Sequence, residues 1–406
     1  MSSAAPSTVA YQKAGWLVWL TLAVAITVAV IGSIAAGRER SVTPAYRSAV
    51  YHWFAGEPLY NMHGSGFLYL PQAALTFAPW ALLPHPVCEI VWRWSIIGLL
   101  ALSVAQLNRL LKGDGRWFFT MSISAAVLAW GCAQNGQSTL LITAMMIMSV
   151  VDLTEARWWR AAGLLSLAFA FKPLVIVLIL LAAVVYPQMS WRLAIGMAVV
   201  AIAPFATQHP EYVLSQYQAC LQNLQITFDV GDKVNWAQLF GMLQVAGIDI
   251  PSPARTGLRA VAALATLAIC WKAARTLTPD RFAYYLFSLS ACYLMLFNSR
   301  TEGNTYAMVG PVYGALLAEA AFRLKNQAAS NWLIAAIVLS VLNYELAIQV
   351  SSRANAIWVS PLVCVGVSGY LLARMVHEMR DAHAAKIGQT GVDQTIPSNP
   401  QIAKAA

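Results

Sequence analysis

The chain has 406 residues, of which 59% are hydrophobic and only 11% charged, against about 25% charged in a typical soluble domain. That balance excludes a single soluble globular enzyme, a disordered chain, a coiled coil and a secreted disulfide scaffold. The apolar runs are continuous rather than alternating, which argues against a membrane β-barrel. The formal net charge is +9. Lys and Arg gathered in cytoplasmic loops explain it more simply than a nucleic-acid partner, and none is expected. The six cysteines are scattered, with no CxxC or Cys/His cluster, so neither a zinc site nor a disulfide framework is suggested. The fold class is an all-α polytopic membrane protein.

The first apolar run, about Trp16 to Ala36, reads as a retained first span with the N-terminus inside. A long outer loop follows, about 37–87, with Arg38, Glu39, Arg40, Arg47 and an amphipathic stretch near Tyr46–Phe54. Within it, Phe67–Pro84 is apolar enough to resemble a span, but Pro71, Pro79 and Pro84 interrupt it. If it crossed, Arg109, Lys112 and Arg116 would face outside. It is therefore expected to lie at the outer surface or to dip in and back. Further spans are expected near 88–111, 116–133, 136–153, 157–171, 173–186, 191–207, 257–276, 281–297, 305–323, 330–348 and 355–377. Basic clusters at Arg157/Arg160, Arg192, Lys272/Arg275/Arg281, Arg323/Lys325 and from Arg374 mark the inner side. A second long outer loop, about 208–255, carries Asp229, Asp232 and Lys233. This gives about twelve spans, both termini inside, and one membrane domain over 1–377. The polar tail, 378–406, is expected to be cytoplasmic and disordered.

Ionisable groups in or beside spans are functional candidates. Lys172 stands among apolar neighbours, Ala168 to Phe171 and then Pro173, at an outer span junction. It suits the neutralisation of a lipid phosphate, or it snorkels to the interface. Gln134-Asn135-Gly136-Gln137 forms a short outer turn whose amides can bond sugar hydroxyls, or simply joins two helices. Asn298 to Tyr306 is a dense outer polar string. In it, Arg300 suits phosphate oxygens. Glu302 is a candidate general base or a partner for Arg300, and Asn304 and Tyr306 are candidate substrate contacts. Glu39 and Glu57 are the carboxylates of the first outer loop, with His52 and His63 beside the second. Tyr69 could line a lipid-facing groove or anchor at the interface. Arg93, between Trp92 and Trp94, reads as part of an interfacial belt. Glu319 and Glu345 read as structural partners near span ends.

Several pieces occur in a recognisable order. After the first span come Tyr46-Arg47-Ser48-Ala49 and Gly56-Glu57-Pro58-Leu59-Tyr60, then Phe67-Leu68-Tyr69-Leu70-Pro71 with Pro79 and Pro84. Asn135-Gly136-Gln137, Phe171-Lys172-Pro173 and the string ending at Tyr306 and Pro311 complete the series. The chain resembles glycosyltransferase family 87, a GT-C-fold group that includes polyprenyl-phosphate-dependent mannosyltransferases. The resemblance runs from about residue 15 to about 375. It implies a GT-C-like bundle with juxtamembrane helices in the first outer loop. It further implies a polyprenyl-phosphate sugar donor, a lipid or glycan acceptor, and an active face outside the cytoplasmic membrane. The acceptor hydroxyl would attack the anomeric carbon with inversion, a carboxylate would take its proton, and Lys172 and Arg300 would stabilise the leaving phosphate. No cofactor is required; a divalent cation held by one carboxylate and a phosphate would leave little trace in a sequence.

One departure matters. The family usually places an Asp shortly before the Tyr46 motif, where this chain reads Ser41-Val42-Thr43-Pro44-Ala45. Glu39, just upstream, or Glu302, from across the cavity, could serve instead. The alternative functions are a transporter or flippase of a lipid-linked or small polar substrate, and a non-catalytic partner in an envelope assembly. Transporters place ionisable groups at the midplane, often in broken helices. Here most lie at outer loops and helix ends, which favours surface chemistry.

Overall fold

A computed structural model describes residues 8–61, 66–231, 236–352 and 356–393. His63, Asp232 and Lys233 lie outside them, as does the side chain of Asp229. The described residues are helical and contain no strand. Helix α1 (Thr8–Ala35) is followed by two short helices, α2 (Thr43–Ala55) and α3 (Pro71–Ala81). Next come α4 (His85–Leu110), α5 (Gly115–Gln134), α6 (Thr139–Thr154) and α7 (Trp158–Phe171). Then follow α8 (Ile176–Val185), α9 (Pro187–Ile202), α10 (Pro210–Gly231), α11 (Leu239–Val245), α12 (Ser252–Thr276) and α13 (Pro279–Phe297). The last are α14 (Gly310–Ala318), α15 (Gln327–Val341), α16 (Asn343–Val350) and α17 (Val359–Asp393).

Six helices are long and apolar enough to cross a membrane: α1, α4, α5, α9 with its continuation to Ala206, α12, and α17 as far as Ala385. The pair α15 and α16 makes a seventh if counted as one broken span. Helix α6 and the segment Pro173–Val185 are shorter apolar helices. The stretch Phe67–Pro84 contains only the 11-residue α3, about 16 Å long at 1.5 Å per residue. That is roughly half of a ~30 Å hydrocarbon core. Pro71 opens α3, and Pro84 stands between it and α4.

Close packing sets the frame. Gly310 and Gly314 face α5 so tightly that a Cβ at either would stand 2.9 Å from Ala125 Cα or 2.7 Å from Met121 Cα. Ser124 Oγ donates to Gly310 O at 2.9 Å. This small-xxx-small spacing lets two helix backbones touch without a hydrophobic drive between them. At the other end of α5, Asp114 caps the helix by accepting from the N–H groups of Arg116 and Trp117.

Three stretches differ from the expected continuous elements. The run 305–323 is a 3₁₀ turn (Gly303–Val309), then α14, then a π turn (Glu319–Arg323). The run 330–348 breaks at Leu342, where α15 and α16 bend by 75°. Helix α17 continues to Asp393, past the expected end of the last span at 377. Its side chains are held there: Glu378 is ion-paired with Arg281 and Arg374, and His377 Nδ1 shares a 2.8 Å hydrogen bond with Asp381 Oδ2.

Candidate active site

The site gathers where α6 begins, α7 ends and the polar string after α13 returns. Pro173 disfavours helical backbone at the residue before it, so α7 stops at Phe171 and Lys172 is extended (φ −146°, ψ 126°). Half-buried, its Nζ donates to Thr139 Oγ1 at 3.3 Å and stands 5.8 Å from the Tyr69 ring centre. Tyr69 precedes α3 and is held through its carbonyl, which accepts from Tyr60 Oη at 2.7 Å and from Cys220 Sγ of α10 at 3.8 Å. Its hydroxyl shares a 2.8 Å hydrogen bond with that of Tyr46 on α2. Tyr46 Oη in turn accepts from Ser138 N at 3.4 Å.

Across this cluster, buried Gln137 donates from Nε2 to Glu302 Oε2 at 2.8 Å. Glu302 is extended (φ −86°, ψ 154°), immediately before the 3₁₀ turn. The polar string is pinned on both sides of it. Asn298 Nδ2 donates to Arg300 O at 2.9 Å, and Thr301 O accepts from Ala237 N at 2.8 Å. The carboxylate of Glu302 acts electrostatically on Tyr69 and Cys132, and the ammonium of Lys172 on Tyr46 and Cys132. Burial, reinforced by the charge of Glu302, pushes the Tyr69 phenol up to about 12. Burial also drives Tyr46 well above the ordinary phenol range, with Tyr69 adding to it. Both phenols thus remain neutral donors at ordinary pH.

Sequence reasoning anticipated Lys172, Gln137, Tyr69 and Glu302, and the fold brings them together. Arg300 stands nearby along the chain, with its guanidinium carbon 4.8 Å from the Trp236 ring centre. Among the described residues, no ion pair joins Arg300 to Glu302 or Lys172 to any carboxylate. Asn304 is half-buried against Gly131 of α5, and its Oδ1 is buried without a hydrogen bond. Gln134 and Asn135 contribute backbone carbonyls to Arg93 and to Val42 N.

Other candidates fall elsewhere. Tyr306 is fully buried, and its hydroxyl donates to the carbonyls of Ala237 and Met295. It fixes the string rather than facing the cluster. Glu39 Oε2 pairs with His85 Nε2 at 3.2 Å, at the start of α4. Arg93 is not interfacial: it and Trp92 are buried, while Trp94 is exposed. Glu89, absent from the sequence candidates, is buried and ion-paired with Arg93. Its signal was an acid four residues before a base inside an apolar run, the spacing that places both on one helix face. Tyr46, Ser138 and Thr139 also join the site, through tertiary contacts that no local motif announces.

No curated protein and no solved structure matches the chain significantly. The family model of glycosyltransferase family 87 matches residues 67–299, more than half of the chain. The matched stretch contains Tyr69, the 134–137 turn and Lys172, and ends one residue before Arg300. The apolar helices and this match together make the chain a membrane glycosyltransferase belonging to glycosyltransferase family 87.

Proposed function

We propose that this protein transfers a hexose, with mannose as the first choice, from a polyprenyl-phosphate carrier to an envelope glycolipid or glycan acceptor. The reaction takes place at the outer face of the cytoplasmic membrane, in a GT-C-like bundle crossing about twelve times with both termini inside. The observation that carries this reading is the placement of Lys172 and Glu302 around the same two side chains without an ion pair between them. A carboxylate held by an amide can accept a proton. A half-buried ammonium that hydrogen-bonds a hydroxyl keeps its charge for an incoming anion. At about 4 Å and an effective dielectric near 20, a unit charge pair is worth roughly 4 kcal/mol.

In this mechanism the acceptor hydroxyl attacks the anomeric carbon as the bond to the phosphate oxygen breaks. Glu302 takes the hydroxyl proton; general bases of this kind contribute about 10²–10⁴-fold. Lys172 and Arg300 stabilise the charge that grows on the departing lipid phosphate. Gln134, Asn135 and Asn304 supply side-chain amides suited to bonding sugar hydroxyls. Tyr69, as a neutral donor beside Lys172, bonds a phosphate or sugar oxygen. Glu39 is the weaker candidate for the base, since His85 already pairs with it.

The test incubates the purified protein with radiolabelled polyprenyl-phosphate mannose and a lipid extract of its host. Label should move to an acceptor, and Lys172→Ala and Glu302→Gln should each abolish the movement. Transfer that survives Glu302→Gln but not Glu39→Gln would move the base to the first outer loop. Proteoliposomes that exchange the lipid-linked sugar without forming product would favour the transporter.

A further inference from the structure

We infer that Arg93 and Trp92 of α4 form a positioning clamp that sets the Glu302 carboxylate through the 134–137 turn; the inference rests on Glu302 being the base. Four consecutive features of that turn are fixed. Arg93 donates to Gln134 O from Nε at 3.3 Å and from Nη2 at 2.8 Å. Val42 N donates to Asn135 O at 2.9 Å. Trp92 Nε1 donates to Gly136 O at 2.7 Å. The next side chain, Gln137, holds Glu302.

The turn fits this clamp only with glycine at its centre. Gly136 has φ +66°, and a Cβ there would stand 2.7 Å from Thr43 Oγ1 and 3.2 Å from Arg93 Cζ. Arg93 is itself oriented from behind. Its guanidinium is ion-paired with the Glu89 carboxylate, which also accepts from Ser41 Oγ at 2.9 Å. Glu89 and Arg93 are both about 1% exposed, so neither reaches a substrate. A planar fork pinned by a carboxylate on one side places its remaining donors with little freedom. A reacting group moved by about 1 Å can cost about 100-fold in rate, which is the scale on which such a clamp acts.

The experiment reads the Glu302 carboxyl itself, so it needs neither donor nor acceptor. A hydrophobic carbodiimide labels protonated carboxyls in membranes, and mass spectrometry of the labelled peptide follows Glu302 in the intact protein in lipid nanodiscs. Gln137 Nε2 covers one oxygen of the Glu302 carboxyl, so Gln137→Ala should free that oxygen for the reagent and speed labelling about tenfold. Among the described residues, Glu302 acts on Tyr69 and Cys132, Lys172 stands beside the same two, and Arg300 lies two residues away; all remain in every variant. Trp92→Phe and Arg93→Lys should each speed labelling several-fold, and should add nothing in the Gln137→Ala background. Interacting residues show such non-additivity, whereas independent ones add. Labelling unchanged in Trp92→Phe, or effects that add to that of Gln137→Ala, would overturn the clamp. Trp92→Phe keeps an aromatic ring and loses one hydrogen bond, so it remains informative if Arg93→Lys does not fold. The base reading fails separately, by retained sugar transfer in Glu302→Gln, whatever the labelling shows.

Discussion

The two ends of α13 carry charge in opposite ways. At its start, Arg281 enters a closed set of charges. It pairs with Glu319 at 3.0 Å and with Glu378; Arg374 lies 3.3 Å from Glu319 and 3.5 Å from Glu378; Arg323 lies 3.9 Å from Glu319. Past its far end, about 27 Å away along the helix axis, Arg300 and Glu302 leave the helix unpaired with each other. Glu302 takes an amide, Lys172 a hydroxyl, and Arg300 an indole face. Charges that satisfy one another hold helices together. Charges held in place but not neutralised are available to a substrate. The same separation distinguishes Glu89, spent on Arg93, from Glu302.

The contrast can be broken from either end. Glu302→Gln should lower transfer by about 10²–10⁴-fold while leaving the thermal midpoint nearly unchanged; scintillation counting of product and a melting curve check both. Glu319→Ala should do the reverse. Removing one partner of a buried pair costs about 3–5 kcal/mol, here by leaving three arginines without their shared carboxylate, while turnover per folded molecule persists. Arg300→Ala should reduce transfer about 10²–10³-fold, the usual cost of one lost transition-state charge contact, with a larger effect on kcat than on KM. Tyr46→Phe, which removes the bond shared with Tyr69 and the acceptor of Ser138 N, should cost about 1–3 kcal/mol in stability. Tyr69→Phe should leave the alkaline limb of the pH–rate profile in place, because burial pushes that phenol up to about 12.

Much of the helical frame was legible because apolar length and proline placement are local signals. The run 281–297 corresponds to α13 (Pro279–Phe297), and 157–171 to α7. Lys172 stood out because nothing around it was polar. The break at Leu342 was not legible, since Asn343 and Glu345 just past it read as polar residues near a span end and the bend is a tertiary outcome. The π turn at Glu319 likewise follows a buried ion cluster assembled from α13 and α17. Tyr306, a candidate substrate contact by sequence, bonds two buried carbonyls through its hydroxyl, a tertiary arrangement that the polar string does not report. Arg93 was misread because flanking tryptophans suggested a membrane interface, and only the four-residue spacing from Glu89 betrayed a buried pair. The Tyr46–Tyr69 contact joins residues 23 apart in sequence, and no periodicity reports that.

The central claim is that unneutralised charge at the far end of α13 serves the donor phosphate. It is tested most directly by thermal stabilisation with polyprenyl phosphate, which lacks the sugar and so reads phosphate recognition alone. A ligand that binds only the folded protein raises its stability in proportion to the logarithm of saturation. Polyprenyl phosphate should stabilise the unaltered protein and Arg374→Ala by the same increment, although Arg374→Ala starts from a lower midpoint. It should fail to stabilise Lys172→Ala. Equal stabilisation of Lys172→Ala, or its loss in Arg374→Ala, would contradict the assignment of the two ends.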